Sequence, residues 1–473
     1  MKGLAGLIES VATKGLLAAS NRAKRARTPT VPSGFVVGFP VSGAHSDQQE
    51  PLILRTAERR KHVYVLGATG CGKSNLLLRM IEDEVRTGRT CVVIDLRGDL
   101  IDRIFVRLAA TEPEHHPKIR LIDLREDDFV MPFNPLSGTE GSYTRAMFLL
   151  EVIRKGSDSW GVQLEETLRN CLIALAGGGY TLLDIERLLF DPAFRESVII
   201  RCPDEHVRSF FERYGRFTSE RQQTWSLPVL NKVTPLLSIP QLRRMLGSPE
   251  GFNWNEWLDQ PGGLVLIALA AHRFHSASHL IGGLLVSSLQ SAIMARANLP
   301  EGKRNPVTLY VDEFETMATP SFATIIAEGR RFGLSLVLAH QNLSQLDTGL
   351  RSCVRNNVFA QVLFQAGASD ASELAGDVFG CGPKETVRQA LVSQKVGEAF
   401  VARRGEATVQ VATIYSPDPK IDPKIASDLK LNVLDACCLR SVDVEDRFPS
   451  PLGPATSSIA EVRHDKRPKT KRI

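Results

Sequence analysis

From residue 61 the chain alternates short, β-branched apolar runs with stretches whose apolar residues recur at helical spacing. HVYVL (62–66), TCVVIDL (90–96) and IRLIDL (119–124) read as strands, with helices over 74–87 and near 99–110 between them. The alternation stops after MPFNPL (131–136). Residues 142–258 carry helical patterns such as TRAMFLLEVIRK and QLEETLRNCLIALA, with no strand series. It resumes with GGLVLIAL (262–269), a helix near 276–297, VTLYVDE (307–313), a helix near 320–331 and LSLVLAHQ (334–341). NVFAQVLFQAG (357–367) and the pair GEAFVARRG and ATVQVATIY (397–415) follow. This order predicts an α/β fold with a mainly parallel sheet. One nucleotide-binding-type domain is expected in two parts, 61–140 and 259–415, interrupted by an all-helical insertion over 141–258.

The two ends differ from this core. Residues 34–60 suggest a small β-rich lead-in, GFVVGFP and PLILR. Leu4, Leu7, Ile8, Val11 and Leu16–Leu17 fall near helical spacing. They suit a short amphipathic helix that packs on its own domain, docks on a partner or lies on a membrane. Residues 1–60 therefore form a basic N-terminal helix plus lead-in. Residues 416–473 are polar, basic and Pro-containing, and are expected to be a poorly ordered tail.

Composition adds little until charge is mapped. The 473 residues are 43% hydrophobic and 23% charged, ordinary for a globular protein with ample core. LVLIALAA (264–271) is the longest clean apolar run, short of a membrane span. Glu9, Ser10 and Lys14 interrupt any signal-peptide core. Eight cysteines without C-x-x-C pairing suggest a reduced, cytoplasmic protein without structural zinc. Residues 1–27 carry a net +5, residues 463–473 another +5, and the body between them −5. Such ends are solvated tails, or they attract nucleic acid or an anionic membrane face. The latter would place the protein peripherally at the inner side of the membrane.

The chemistry enters at GATGCGKS (67–74), which fits G-x-x-x-x-G-K-[ST] between a strand and a helix. Gly67, Gly70 and Gly72 let the backbone turn tightly, so that N–H groups along Ala68, Thr69, Cys71 and onward to Asn75 meet phosphate oxygens. Lys73 brings positive charge to the β- and γ-phosphates, and Ser74 is a Mg²⁺ ligand. ATP with Mg²⁺ is the expected ligand pair. VTLYVDEFE (307–315) ends a buried strand in two acids at the sheet edge where such a loop opens. Asp312 would hold the Mg²⁺ shell through water, and Glu313 would polarise the attacking water. Gln341 ends the next strand, either as a γ-phosphate sensor or as an ordinary polar strand end. Arg330 and Arg331 close the helix before that strand. One of them reaches a neighbouring subunit's nucleotide, or both merely complement the helix dipole.

Taken together, GATGCGKS, VVIDLRGDL (92–100), FNPL (133–136), VDEFE and SFATIIAEGRRFGLSLVLAHQNLSQL (321–346) resemble the HerA/FtsK superfamily of DNA-pumping ATPases. Within it the resemblance is closest to type IV secretion coupling proteins of the TraG/TraD type and their soluble relatives, and it covers roughly 60–415. It implies a RecA-like P-loop fold split by a helical domain, a hexameric ring and DNA in a central channel. It also implies an arginine finger between subunits, mapping to Arg330 with Arg331 as the alternative. Asp95 and Asp99 lie in the stretch resembling the family's D-x-x-G-D. Coupling proteins usually begin with transmembrane helices, and none is read here.

An ATP-driven DNA translocase, with DNA, a homo-hexamer and a secretion-channel, relaxase or nuclease protein as partners, is the leading expectation. A motor that moves protein for secretion, and a low-turnover nucleotide-gated interaction module, are the competing ones.

Overall fold

A computed structural model describes residues 34–41, 50–138, 141–157, 159–318, 320–378 and 380–447. The N-terminal apolar stripe, the basic stretch 1–27 and the basic end 463–473 lie outside the described residues.

The centre of the molecule is one sheet of eleven strands. In chain order its strands are β1 (Gly34–Pro40), β2 (Leu52–Arg55), β3 (Val63–Leu66), β4 (Thr90–Asp95), β5 (Lys118–Asp123), β7 (Gly263–Ala268), β8 (Val307–Asp312), β9 (Leu334–His340), β10 (Ala360–Leu363), β11 (Glu398–Arg403) and β12 (Val409–Thr413). The short β6 (Phe129–Val130) pairs separately with β13 (Leu439–Arg440). Spatially the order is β2-β1-β12-β11-β10-β3-β9-β8-β4-β7-β5. The seven strands from β10 to β5 are parallel, and the four on the other flank are antiparallel. The mainly parallel α/β fold expected from the alternation is what forms.

Both faces of the parallel strands are covered, which explains their unbroken apolar runs. The period of two still sorts their side chains. Tyr64 and Leu66 of β3, Val92 and Ile94 of β4, and Val307, Leu309 and Val311 of β8 enter the core shared with the helical region. Val63, Val65, Cys91, Val93 and Tyr310 enter the core under helices Lys73–Arg86 and Asp99–Ala109. A buried ion cluster closes this second face. Arg59 meets Asp83 at 2.5 Å and also Glu84, while the Tyr310 hydroxyl donates to Glu84 at 3.1 Å.

Between β6 and β7 the described residues hold helices and no strand, from Ser142–Lys155 to Trp254–Leu258. Phe210, Phe211, Tyr214, Phe217 and Trp225 pack together there, with Tyr214 donating to Leu189 O. Helix Ser276–Ala295 lies between these helices and the sheet. With its 3₁₀ extension to Asn298 it is long and apolar enough to cross a membrane by length and composition, but 67% of its apolar window is buried inside the protein. That is the burial of a core helix, and the expectation of no membrane span missed its length because Ser and Gly residues break the apolar run.

Two expectations about the ends need correcting. β1 and β2 are not a separate lead-in; β1 pairs with β12, so they form the edge of the main sheet. Nor do residues 416–447 form a loose tail. Asp422 caps helix Pro423–Cys437 by accepting from Lys424 N–H at 2.9 Å. This helix packs on helix Asp99–Ala109 and on β5, burying Ala426 and Leu434, while Lys430 pairs with Asp123 and Glu126, each at 2.7 Å. Its apolar face, Ala426, Leu429, Val433 and Cys437, repeats at three- and four-residue steps that its Pro- and Lys-rich flanks obscured.

Candidate functional site at the carboxyl edge of the sheet

β3, β9, β8 and β4 are consecutive neighbours and parallel, so the segments that follow them open at one edge. Those segments are the P-loop, Gln341, Glu313 and the stretch Leu96–Asp99.

The P-loop leaves β3 and enters helix Lys73–Arg86 through Gly72, whose φ of 119° is a left-handed conformation that favours glycine. Gly67 is required for space instead: a Cβ there would lie 2.5 Å from Phe364 Cβ and 2.8 Å from Cys71 Sγ. The base of the loop is pinned by Ala68 N–H, which donates to Gln365 O at 2.8 Å after β10. Lys73 is buried, and its Nζ donates to Gly67 O at 2.6 Å and Ala68 O at 2.9 Å. Ser74 is exposed at the helix start, and Cys71 is buried with its thiol pushed up by burial. Asn75 differs from the rest of the predicted set. Its amide donates to Ile414 O at 2.9 Å and its carbonyl accepts from Ser416 N–H at 3.2 Å, so its side chain serves the segment after β12.

A short hydrogen-bond chain joins the loop to the acids. Thr69 Oγ1 donates to Gln341 Oε1 at 2.9 Å, and Gln341 Nε2 donates to Glu313 Oε1 at 2.8 Å. Glu313 sits at φ 53°, a left-handed conformation unusual for a side chain of its size, where backbone strain clusters at functional positions. Its N–H donates to Asp312 Oδ1 at 3.0 Å. Burial pushes Asp312 up to about 6 against the pull of Lys73, with Asp95 and Glu313 adding repulsion. Burial also raises Glu315 to about 7, and raises Asp95 although Arg97, Leu100 and Ile101 N–H groups donate to it.

These carboxylates, Asp95 buried and Asp312 and Glu315 half-buried, with Lys73 as counter-charge to Asp312 and Glu315 and beside an exposed serine hydroxyl, form a hard oxygen donor set. It fits Mg²⁺, which takes one or two protein ligands and completes its shell with phosphate and water. Among the described residues no group of three or more His, Cys, Asp or Glu forms an all-protein metal cage. Ser74 and Asp312 would therefore hold the ion together with the nucleotide.

Arg330 and Arg331 lie elsewhere. They are exposed on the turn Gly329–Phe332 that precedes β9, while Gln341 follows it. Seven residues of strand separate the two, roughly 23 Å. Neither guanidinium can reach this chain's own P-loop.

Three neighbours of the site had escaped sequence reading. Arg97 lies 3.7 Å from Glu313 Oε1; it stands inside the Asp95–Asp99 stretch, whose motif is marked by its acids. His340 is fully buried between Tyr64 and Phe314, its ring accompanied by the Tyr64 hydroxyl, and burial pushes it down to about 3, so it is neutral. His279 is lowered by burial, and Glu313 and Lys155 act on it in opposite senses. Nothing in the sequence distinguishes His279 from any other polar residue on an apolar helix.

The sequence also matches known families. Residues 37–223 match the family described as the central domain of helicase HerA, and residues 306–398 match the TraM recognition site of TraD and TraG. Together the two matches support a likeness to the HerA/FtsK-type coupling ATPases. The DNA double-strand break repair helicase HerA of Sulfolobus acidocaldarius is 21% identical over 374 residues, which are 77% of this chain. The match spans 66% of that relative's length. In structure, the plasmid coupling protein TrwB in complex with a non-hydrolysable ATP analogue is similar at a TM-score of 0.56 and 17% identity, over 84% of this chain and 98% of that one. VirB4 of Thermoanaerobacter pseudethanolicus is similar at a TM-score of 0.55 and 15% identity, over 82% and 97%. These structural likenesses speak for the shared fold.

Proposed function

We propose that this protein is an ATPase of the coupling-motor kind, which hydrolyses ATP in a ring of identical subunits to move DNA. The observation that carries this reading is the bonded chain Thr69–Gln341–Glu313, which ties a P-loop after β3, through the amide at the end of β9, to a glutamate at the end of β8. TrwB has been captured with ADP and Mg²⁺, so a nucleotide at the corresponding loop is the natural ligand here.

Each residue then has a chemical task. The amides of the loop from Ala68 to Ser74 hold the phosphates, and Lys73 turns from the loop carbonyls to the β- and γ-oxygens. Mg²⁺, when bound through Ser74 and Asp312, neutralises charge on the phosphates. Glu313 accepts a proton from the attacking water, and Gln341 aims that carboxylate while its other end contacts the loop. Loss of the γ-phosphate changes what Thr69 faces, and Gln341 carries the change to the segment after β9. The distance between Arg330 and its own P-loop favours a role toward an adjacent copy, and a contact of that kind repeated head to tail closes into a ring.

ATP turnover with duplex DNA, single-stranded DNA or neither, at fixed salt, tests the reading. Severalfold stimulation by DNA is expected, falling as salt rises because phosphate contacts release counterions. Stimulation by a protein substrate alone would favour a protein-moving motor, and negligible turnover under all conditions would leave a nucleotide-gated binding module.

A further inference from the structure

A cleft of about 670 Å³ lies beside the second half of helix Lys73–Arg86, between that helix, the start of β1 and helix Asp99–Ala109. Phe35 and Val36 of β1, Val85 of the first helix, and Ile104 and Leu108 of the second give it an apolar lining. None of these residues belongs to the phosphate site. The space suits several aliphatic side chains entering together.

Arg79 is left incomplete in this cleft. Its guanidinium carbon lies 5.0 Å from the centre of the Phe35 ring, and its Nη2 donates to Val36 O at 3.1 Å. Its Nη1 is buried and has no hydrogen-bond partner among the described residues. A buried donor without an acceptor destabilises the folded state, so a group that brings an oxygen into the cleft gains by it. The described chain also begins here, because Gly34, its first residue, is part of the lining. Thirty-three residues precede it, and among them Leu4, Leu7, Ile8, Val11 and Leu16–Leu17 recur near helical spacing.

We propose that this apolar stripe seats in the cleft of its own chain, with an oxygen of the segment accepting from Arg79 Nη1. Reach is ample. The 16 residues between Leu17 and Gly34 span up to roughly 55 Å when extended. A tether of that length, fixed at the mouth of the cleft, holds the stripe near it at an effective concentration of about millimolar. A second copy would have to displace a segment already attached there, and a membrane face would leave the concave lining and Arg79 Nη1 unfilled. The seated segment splints β1 to both helices. It thereby steadies the helix whose first turn carries Lys73 and Ser74.

Two measurements on the full chain test it. Leu4→Ser/Leu7→Ser/Ile8→Ser removes half of the stripe and leaves every described residue in place. It should lower the melting temperature by about 2–5 °C, since buried apolar contacts are lost. Substitutions on an unseated segment would leave it unchanged, and that result would overturn the proposal. A photo-reactive benzophenone side chain placed at Leu7, in dilute protein, should cross-link within one chain to residues 79–86 or 104–111. Cross-links confined to other parts of the chain, or formed only between copies and rising with protein concentration, would overturn it. So would flotation with anionic phosphatidylglycerol vesicles in place of any cleft cross-link. Arg79→Met, which keeps an apolar stem over Phe35, should cut the yield of the cleft cross-link severalfold; an unchanged yield would overturn the part given to Arg79.

Discussion

Replacing Asp312 by asparagine measures what the catalytic edge costs the fold. Burial pushes this carboxyl from 3.8 up to about 6, with Lys73 opposing and Asp95 and Glu313 reinforcing the rise. Because the folded-state value lies above the unfolded one, the folded protein holds the proton more tightly. The associated stability is complete below about pH 4 and is lost as pH rises through about 6. At pH 8 the ionised side chain therefore costs the folded state roughly 3 kcal/mol. Asparagine keeps the acceptor for Glu313 N–H, now at 3.0 Å, and carries no charge to desolvate. Without nucleotide or Mg²⁺, Asp312→Asn should be more stable than wild type by up to ~3 kcal/mol at pH 8, which is several degrees in melting temperature. The advantage should shrink through pH 6 and vanish near pH 4. Adding ADP and Mg²⁺ should stabilise wild type and do little for the variant. Thermal scans from pH 4 to 8 read all of this. A difference that is flat with pH, or a wild type that is more stable at pH 8, would refute the reasoning.

Gln341→Ala removes both bonds of the chain to Thr69 and Glu313, and turnover should fall about ten- to hundredfold with ATP affinity nearly unchanged; steady-state kinetics separate kcat from KM. Thr69→Val breaks one of those bonds and should lower turnover less. Glu84→Ala strips an acceptor from Arg59, Arg89 and Tyr310 deep in the second core, leaving buried charge under-compensated. It should cost about 3–5 kcal/mol in urea unfolding with little dependence on salt.

The parallel core was legible because its strands are buried on both faces, so runs such as TCVVID and LSLVLAH stand out from the helices between them. The P-loop was legible because each fixed position has its own physical reason, from space at Gly67 to backbone conformation at Gly72. The neighbourhood of Glu313 and Gln341 followed from two consecutive acid- and amide-ended strands, which the sheet does pair. What escaped depends on contacts between distant segments. β1 joins the sheet through β12, a partner more than 350 residues away. Helix Pro423–Cys437 has an apolar face, but its flanks carry the proline and charge of a loose tail. Arg97 becomes visible only when β4 and β8 lie side by side.

Phosphate release from ATP and Mg²⁺ by Glu313→Gln, measured beside wild type with and without duplex DNA, tests the proposed chemistry most directly. The amide keeps the size of the carboxylate and loses its basicity, so ATP binding should persist while turnover drops by about 10²-fold or more in both conditions. Wild-type turnover in the variant would contradict the assignment of Glu313, and with it the reading of this sheet edge as the place where ATP is hydrolysed.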